Sequence, residues 1–341
     1  RSLEIKRFGL MIDLPKDVTS ALCSAADPDL VNIPGYTIPG RAETSDLEAA
    51  ADALAKSKRP LLYVGHGAVI SGAGELITEL AEKLQSPVVN TLLGKGAVDE
   101  THALHLGMLG MHGTAYANKA VEHCDLIMAI GARWDDRITG RLSEFCTNAT
   151  RIHVDVDRAE FDKTVKSHVQ LLGDAKLVVE DLLPLVGRLD TTQWLAQCKA
   201  WRKEFPLKYP KRGKSLRAQH VLDRLNDLTE GQALVTTDVG QHQMWAAQFL
   251  RTRSNRMWLS SGGAGTMGYG FPAAIGAQFA RPDVPVWAIV GDGGFQMTMS
   301  ELATAAIHKL PVKVLIINNN YLGMVRQWQE LFFDNRLSGV D

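Results

Sequence analysis

Two polar clusters near the carboxyl end of the chain could hold a divalent cation. Asp292 stands in Gly291-Asp292-Gly293-Gly294, directly after the apolar run 286–290, and Asn319 follows a second apolar run at 312–317. Carboxylate and amide oxygens are hard ligands, and glycines let a backbone come close to a diphosphate. The clusters therefore predict a magnesium clamp for a phosphorylated cofactor. The competing interpretation is a pair of unrelated polar turns, which are common in α/β proteins.

The clamp requires that both clusters lie at one edge of a sheet. Between the two apolar runs, a segment predicted as a helix covers 297–308, and the whole is typical of a parallel βαβ unit buried on both faces. Open α/β sheets bind ligands at the carboxyl ends of their strands. We therefore expect Asp292 and Asn319 to face one ligand.

Two other stretches of this domain suit the same ligand. A helix capped by Ser215 opens the domain, and a strand at 233–237 then leads to Gln241 and His242, which could bind a phosphate. The stretch 260–272 is too rich in glycine for a regular element and presents bare backbone groups. A flat heterocycle could lie there with Met267 as an apolar support.

An earlier α/β domain is predicted from strands that alternate with helices, which favours a doubly wound parallel sheet. Ser45 is a candidate cap for its first helix, over 46–57. At the strand ends, Arg133 and Arg137 could bind phosphates and Asp155 a ribose hydroxyl. Gly65-His66-Gly67 is not a GxGxxG motif, and the alternative interpretation of Gly65 and Gly67 is that they form an ordinary turn. The predicted strands are 60–64, 87–90, 125–130 and 151–156, and the helices between them are 74–84 and 116–124.

Composition narrows the function classes. The 341 residues suffice for two domains, and 45% hydrophobic with 22% charged residues is typical of a soluble globular protein. A net charge of -1 gives no electrostatic footprint for nucleic acid or anionic membranes. The four cysteines are scattered and indicate neither a zinc site nor a disulfide framework, so we expect an intracellular protein. The sequence shows no signal peptide and no apolar run of membrane-spanning length.

Taken together, the motifs resemble one enzyme family. The runs 238–245, 262–270, 291–293, 318–319 and 322–328 are similar to the catalytic large subunit of acetohydroxyacid synthase (acetolactate synthase), which depends on thiamine diphosphate (ThDP). The runs 106–114 and 135–140 resemble its FAD-binding domain. The resemblance implies an α/β fold with two doubly wound parallel-sheet domains. The implied division is a remnant of a pyrimidine-binding domain at 1–18, a linker at 19–44, the central FAD domain at 45–187, a linker at 188–214, and the ThDP diphosphate- and magnesium-binding domain at 215–341.

The resemblance also implies the reaction. Members join two pyruvates, or pyruvate and 2-oxobutyrate, with loss of CO₂, and so begin branched-chain amino-acid biosynthesis. The implied cofactors are ThDP, Mg²⁺ and FAD, and the implied assembly is a homodimer or homotetramer with a small regulatory subunit. We expect a cytoplasmic location, or a plastid in a plant. Two alternatives stay open: another ThDP/FAD enzyme of the pyruvate oxidase or glyoxylate carboligase type, and a non-catalytic cofactor-binding module.

Site residues follow from the resemblance position by position. It implies that Mg²⁺ is bound by the side chains of Asp292 and Asn319 and the backbone oxygen of Tyr321. The implied ThDP contacts are Gln241, His242, Gly291, Gly293 and Gly294 around the diphosphate, and Gly265 and Met267 at the aminopyrimidine. Trp328 would favour 2-oxobutyrate, although it could be an ordinary packed aromatic residue, and Lys16 and Arg137 would lie at the substrate entrance. The implied FAD contacts are Gly67, Thr91, Leu92, Met111, His112, Gly113, Gly131, Arg133, Asp136, Asp155, Val156, Gly173 and Asp174.

The resemblance leaves part of the family's pattern unmatched. Family members carry an N-terminal domain with the glutamate that activates the cofactor, and a C-terminal lid over the site. Arg1 replaces an initiator methionine here, and the residues after 331 are few. We therefore expect the sequence to be an internal segment of a longer enzyme and to be inactive by itself.

Overall fold

The computed structural model describes residues 15–22, 39–210 and 216–340. The chain divides into two units, Arg1–Thr37 and Ile38–Asp341. In the first unit the described residues form helix α1, Lys16–Ser20. The strand predicted at residues 9–13 and the cap predicted at Ser215 lie outside the described residues.

The second unit contains a six-stranded parallel sheet, in the order β3-β2-β1-β4-β5-β6. Its strands are β1 Pro60–Val64, β2 Val88–Asn90, β3 His105–Met108, β4 Leu126–Ile130, β5 Thr150–Asp155 and β6 Val169–Leu172. The helices are α2 Thr44–Lys56, α3 His66–Ser71, α4 Gly74–Leu84, α5 Ala115–His123, α6 Asp136–Thr139, α7 Ala175–Leu182 and α8 Thr192–Glu204. The strand order reverses between β1 and β4, which is the kind of point where doubly wound sheets bind ligands.

Alternation of side chains gives this sheet a core on each face. Leu62 and Met128 pack with α2, α4 and α7, whereas Leu61 and Ile127 pack with α5 and α8 on the opposite face. Both faces are therefore covered, and the strands read as continuous apolar runs rather than alternating ones. We therefore expect ligands to approach this sheet at the ends of its strands.

A four-stranded parallel sheet follows in the order β10-β9-β7-β8. Its strands are β7 Leu234–Thr237, β8 Trp258–Ser260, β9 Val286–Gly291 and β10 Lys313–Ile317. The helices are α9 Ala218–Thr229, α10 Gln241–Phe249, α11 Gly270–Ala280, α12 Asp292–Thr298, α13 Leu302–Ile307 and α14 Gly323–Phe332. Its order reverses between β7 and β9. These two parallel sheets confirm the predicted fold class.

Several local predictions were wrong. The helix predicted at 297–308 begins instead at Asp292 and is interrupted by a 3-10 turn at Met299–Glu301, so Gly291-Asp292-Gly293-Gly294 is a strand-to-helix junction and not a turn. In the same way, α3 begins at His66, so Gly65-His66-Gly67 is also a junction. Ser45 is not a cap, because α2 starts at Thr44 and makes no side-chain cap bond. Low intrinsic helix propensity of glycine hid both junctions.

The sequence analysis missed three short strands. It also predicted a connector at 188–214, where the structure has helix α8. The missed strands β3, β6 and β8 have only three or four residues, too few to show a period. Trp194, Cys198 and Trp201 on α8 are buried against the first sheet. In the described ranges, no helix has both the length and the apolar character that a membrane span requires.

Candidate functional site

The two predicted metal-binding clusters meet at one edge of the second sheet. Strands β9 and β10 run parallel, with Gly291 paired to Ile317, so Asp292 and Asn318 leave the sheet side by side. Asn319 comes one residue later, and both Asp292 and Asn319 are partly exposed. The prediction that these clusters occupy adjacent strand ends is therefore confirmed.

A chain of amide hydrogen bonds holds Asn319 in place. Its side-chain nitrogen donates to Oε1 of Gln241 at 3.4 Å, and Nε2 of Gln241 donates to Oε1 of Gln327 at 2.9 Å. Oδ1 of Asn319 accepts from the backbone N–H of Tyr321 at 3.3 Å. These contacts bring the predicted diphosphate residue Gln241 against the predicted metal ligand Asn319, which is bonded in turn to the backbone of Tyr321.

Residue 323 is a glycine because a side chain there would collide with this network. A Cβ there would lie 2.3 Å from Oε1 of Gln241 and 2.4 Å from the side-chain nitrogen of Asn319. Arg326, one turn along α14, lies over the Tyr321 ring with 4.5 Å between the guanidinium carbon and the ring centroid. The loop after β10 is thus tied to α10 and to α14.

His242 lies deeper than the sequence suggested. It is on helix α10 rather than at a strand end, and its Nε2 donates to Oδ1 of the buried Asp238. The ring also fills the space above Gly291, where a Cβ would lie 3.0 Å from Nδ1. His242 is therefore in van der Waals contact with the residue that precedes Asp292.

The glycine-rich stretch is irregular at 261–269, as predicted, but the prediction was wrong at its ends, because Ser260 belongs to β8 and Gly270 begins α11. Gly265 has φ of +68°, a conformation that favours glycine, and nothing lies within 4 Å of the position of a Cβ there. Thr266 N–H donates to Oγ of Ser261 at 2.8 Å, which closes the loop. The terminal methyl of Met267 lies 3.5 Å from the Cβ position of Gly293. Met267 therefore adjoins the Asp292 junction.

Trp328 and Lys16 lie on different elements. Trp328 is on α14, 37% exposed, and its ring is 5.1 Å from that of Phe332. A partly exposed indole on the helix that follows the predicted metal loop is compatible with a substrate contact and with simple packing. Lys16 lies on α1 in the first unit and is exposed there.

At the first sheet, glycines at the reversal point bring two backbones together. A Cβ on Gly67 would lie 2.7 Å from the α-carbon of Gly131, and Gly67 N–H donates to the Gly131 carbonyl at 2.9 Å. Gly131 has φ of +59°. These residues end or follow β1 and β4, so the close approach lies where the strand order reverses.

Most of the predicted FAD residues surround this edge. Met111 N–H donates to the Arg137 carbonyl at 2.8 Å, and Gly113 N–H donates to the Gly110 carbonyl at 2.9 Å. Gly173 N–H donates to the Asp155 carbonyl at 3.0 Å, next to Val156. Thr91 and Leu92 follow β2 in the same layer.

Charged side chains at this edge are engaged with each other. Arg133 contacts Asp135 at 2.8 Å and Arg137 contacts Asp136 at 2.7 Å, and all four side chains are at least partly exposed. Such surface pairs contribute only about 0–1 kcal/mol, so an anionic ligand could replace the carboxylates at little cost. Asp174 caps α7 by accepting from the backbone N–H of Lys176 and Leu177.

His112 joins the two sheets. Its carbonyl accepts from Nε2 of Gln248 on α10 at 2.8 Å. Burial, and secondarily the positive charge of Arg137, lowers the pKa of His112 below its usual value. Leu93, just after Thr91-Leu92, fills the space where Gly262 lacks a side chain. The first-sheet edge and the glycine-rich stretch are thus neighbours.

Comparison with known proteins decides the family. Residues 47–182 match the family described as "Thiamine pyrophosphate enzyme, central domain", and residues 238–341 match "Thiamine pyrophosphate enzyme, C-terminal TPP binding domain". The chain belongs to the thiamine pyrophosphate enzymes. All six strands of the first sheet lie within residues 47–182, and β8, β9 and β10 of the second sheet lie within residues 238–341, which begin directly after β7.

Two relatives of this chain are named as acetolactate synthases. An "Acetolactate synthase large subunit" of Porphyra purpurea is 47% identical over 337 residues, which cover 96% of this chain and 57% of that protein. An "Acetolactate synthase" of Mycobacterium leprae (strain TN) is 43% identical over 339 residues, covering 97% and 54%. The resemblance inferred from the motifs is therefore confirmed, and the chain spans little more than half the length of these relatives.

The donor set of this thiamine pyrophosphate enzyme fits a magnesium-bound diphosphate. No group of three or more His, Cys, Asp or Glu that could hold a metal occurs in the described ranges. The predicted set needs only one such residue, Asp292, because its other donors are amide and backbone oxygens, which suit Mg²⁺. Bare backbone at Gly263 and Gly265, with nothing within 4 Å of their Cβ positions, leaves room for a heterocycle beside it.

Two residues of the site were missed by sequence reasoning. Asp238 was read only as part of a motif, and Gln327 only as part of the run after the metal loop. The spacing of Asp238 and His242, four residues apart across the start of a helix, was a signal that the two side chains could meet. Nothing in the sequence indicated that Gln327 reaches Gln241.

Proposed function

We propose that this chain is the part of an acetolactate synthase large subunit that binds the ThDP diphosphate, Mg²⁺ and FAD. The reaction proposed is the decarboxylating joining of two pyruvates to 2-acetolactate, or of pyruvate and 2-oxobutyrate to 2-aceto-2-hydroxybutyrate. One observation carries the proposal: Asp292 and the Gln241–Asn319 pair lie together at the switch point of a sheet whose domain matches a TPP-binding family.

The proposed clamp works by holding a diphosphate and a metal in fixed positions. Asp292 and Asn319, with the Tyr321 carbonyl, would bind Mg²⁺, and Gln241 and His242 would bind the phosphate oxygens. The Gln327–Gln241–Asn319 hydrogen bonds fix two of these side chains before any ligand arrives, so little conformational entropy is lost on binding.

Positioning at the other end of the cofactor would come from Gly265 and Met267. Gly265 would offer backbone groups to the aminopyrimidine, and the Met267 side chain, which lies against Gly293, would be an apolar support for that ring. When bound, ThDP supplies the carbanion and the electron sink for decarboxylation. The chain's own task is then to orient substrate and to exclude water.

Substrate selection is proposed for Trp328, Arg137 and Lys16. A partly exposed indole beside the metal loop could pack on the extra methyl group of 2-oxobutyrate. Arg137 and Lys16 could attract the pyruvate carboxylate toward the entrance. We further propose residues 45–187 and 215–341 as the two cofactor domains, joined through 188–214, with 1–18 and 19–44 as remnant and linker.

FAD is proposed at the edge of the first sheet. Support comes from the strand order β3-β2-β1-β4-β5-β6, which is the order of dinucleotide-binding folds, and from the close backbones of Gly67 and Gly131 at its reversal point. Arg133 and Arg137 would exchange their carboxylate partners for phosphates. Asp155, whose Oδ1 already accepts from Asp157 N–H at 2.8 Å, would accept from a ribose hydroxyl.

The assembly and location are also proposals. A homodimer or homotetramer would supply the activating glutamate from a second copy, and a small regulatory subunit would be a further partner. We propose a cytoplasmic location, or a plastid if the source is a plant.

A product assay tests the proposed function. The intact protein, supplied with pyruvate, ThDP, Mg²⁺ and FAD, should form acetolactate, and added 2-oxobutyrate should yield the mixed product. Acetate with hydrogen peroxide would instead indicate an oxidase, and carboligation of glyoxylate the glyoxylate carboligase type. Cofactor binding without any product would favour the non-catalytic module.

A further inference from the structure

Asp238 is a buried carboxylate in the candidate site with no role in the proposed function so far. It is the first residue after β7, and it has no solvent-exposed surface. Burying a carboxylate is costly unless its oxygens are hydrogen-bonded. The two oxygens of Asp238 each have such a partner, and the partners belong to different segments of the site.

One oxygen holds the imidazole of His242, and the other reaches the glycine-rich stretch. Oδ1 accepts from Nε2 of His242, and Oδ2 accepts from the backbone N–H of Gly268 at 3.4 Å. Oδ2 also occupies the space beside Gly294, where a Cβ would lie only 2.0 Å away. A single carboxylate therefore contacts α10, the loop after Met267 and the first turn of α12.

The contact with His242 determines which ring nitrogen is left for a ligand. Because Nε2 is bonded to Asp238, the free edge of the ring is Nδ1, and Nδ1 lies 3.0 Å from the Cβ position of Gly291. Nδ1 also lies close to Gly240, at 2.9 Å from the Cβ position there. The ring is only 6% exposed, so it cannot easily rotate to another position.

We propose that Asp238 is a positioning residue for the cofactor diphosphate. It fixes His242 through Nε2 so that Nδ1, which also carries a hydrogen in the imidazolium form, faces the diphosphate beside Gly291-Asp292, and it holds Gly268 so that Met267 keeps its place under the heterocycle. This inference rests on the proposed function, because it requires that a diphosphate bind at this edge. It adds that the geometry of His242 is set by a residue that does not itself touch the cofactor.

A double-mutant cycle separates positioning from a general effect on the fold. ThDP binding to the intact protein with Mg²⁺ is measured by titration calorimetry for the parent, Asp238→Asn, His242→Ala and the double variant. In metal sites, loss of a residue that orients a metal-binding side chain weakens metal binding by about 10- to 100-fold. We expect Asp238→Asn to raise the dissociation constant of ThDP by a similar factor. In the His242→Ala background the same change should weaken binding less than it does in the parent, because the part of its effect that acts through His242 is already lost, whereas the part that acts through Gly268 remains.

Asp223→Asn is the matched control. Asp223 lies on α9 in the same domain, where it accepts from the Tyr209 hydroxyl at 2.7 Å, away from the cofactor edge. Its variant should bind ThDP like the parent. Full additivity of Asp238→Asn and His242→Ala, or unchanged affinity in Asp238→Asn, would overturn the inference. If the parent itself binds no ThDP in the presence of Mg²⁺, the proposed function is wrong too. The two failures are thus distinguishable, because only the second abolishes binding in the parent.

A second measurement needs no change at Asp238, in case that variant does not fold. In the unmutated protein labelled with ¹⁵N-histidine, the His242 signals are assigned by their loss in His242→Gln. Addition of ThDP and Mg²⁺ should shift the Nδ1 resonance strongly and leave Nε2, bonded to Asp238, nearly unchanged. A strong shift at Nε2 with none at Nδ1 would contradict the proposed orientation.

Discussion

Replacing Gly294 with alanine tests the packing that joins the two strand ends. The added methyl group would lie 2.0 Å from Oδ2 and 2.7 Å from Cγ of Asp238, far inside van der Waals contact. Asp238 is fully buried and bonded to His242, so its carboxylate cannot move aside freely. Either α12 shifts with Asp292, or Asp238 gives up one of its hydrogen bonds.

Overpacking of this kind costs typically about 1–3 kcal/mol of unfolding free energy. Gly276→Ala is the matched control, because Gly276 lies within α11 and nothing is within 4 Å of its Cβ position. Alanine in an open helical position should instead stabilise by about 0.4–1 kcal/mol. The two variants thus have the same chemical change and opposite expected signs.

Unfolding by urea measures both variants, and ThDP titration in the presence of Mg²⁺ measures the effect on the site. We expect Gly294→Ala to lose stability and to bind ThDP more weakly, since Asp292 is two residues away on the same helix. Equal stability of Gly294→Ala and Gly276→Ala would refute the close contact between Asp238 and α12, and with it the reasoning above.

Three other predictions concern stability and specificity. Lys95→Met should destabilise by about 3–5 kcal/mol in thermal unfolding, because it leaves Glu100 buried without its partner, and adding Glu100→Gln should recover part of the loss. His105 is held neutral, since burial lowers its pKa from 6.5 to about 3. As the pH drops below 6.5, the His105 side chain is protonated in the unfolded state before it is protonated in the folded state. The free energy of unfolding should therefore fall with pH in this range, and it should fall less steeply in the His105→Gln variant than in the parent. Trp328→Leu should lower the ratio of mixed product to acetolactate in a competition assay without weakening ThDP binding; an unchanged ratio would assign Trp328 to packing.

Long apolar strands and their parallel arrangement were predictable from the sequence, but the junctions after them were not. The runs that became β1, β4, β9 and β10 are uninterrupted and fix parallel pairing, and hence the meeting of Asp292 with Asn319. The helix starts at His66 and Asp292 were hidden because glycine disfavours helix locally. At residue 294 a tertiary contact selects glycine, since only glycine leaves room for the Asp238 side chain.

Side-chain partnerships across the fold were beyond reach of the sequence. That Gln327 would bond Gln241, or that Asp238 would contact three segments, depends on the approach of α10, α12 and α14, which no local pattern encodes. Motif resemblance named the proposed cofactor residues, whereas the structure adds the residues that contact them.

Binding of ThDP with and without Mg²⁺ tests the central claim most directly. Titration calorimetry on the intact protein should show tight binding with Mg²⁺, much weaker binding with chelator, and weak, magnesium-independent binding in Asp292→Ala. Asp283→Asn, at an exposed carboxylate paired with Arg281, should behave like the parent. Equal affinity of the parent and Asp292→Ala under both conditions would contradict the magnesium clamp.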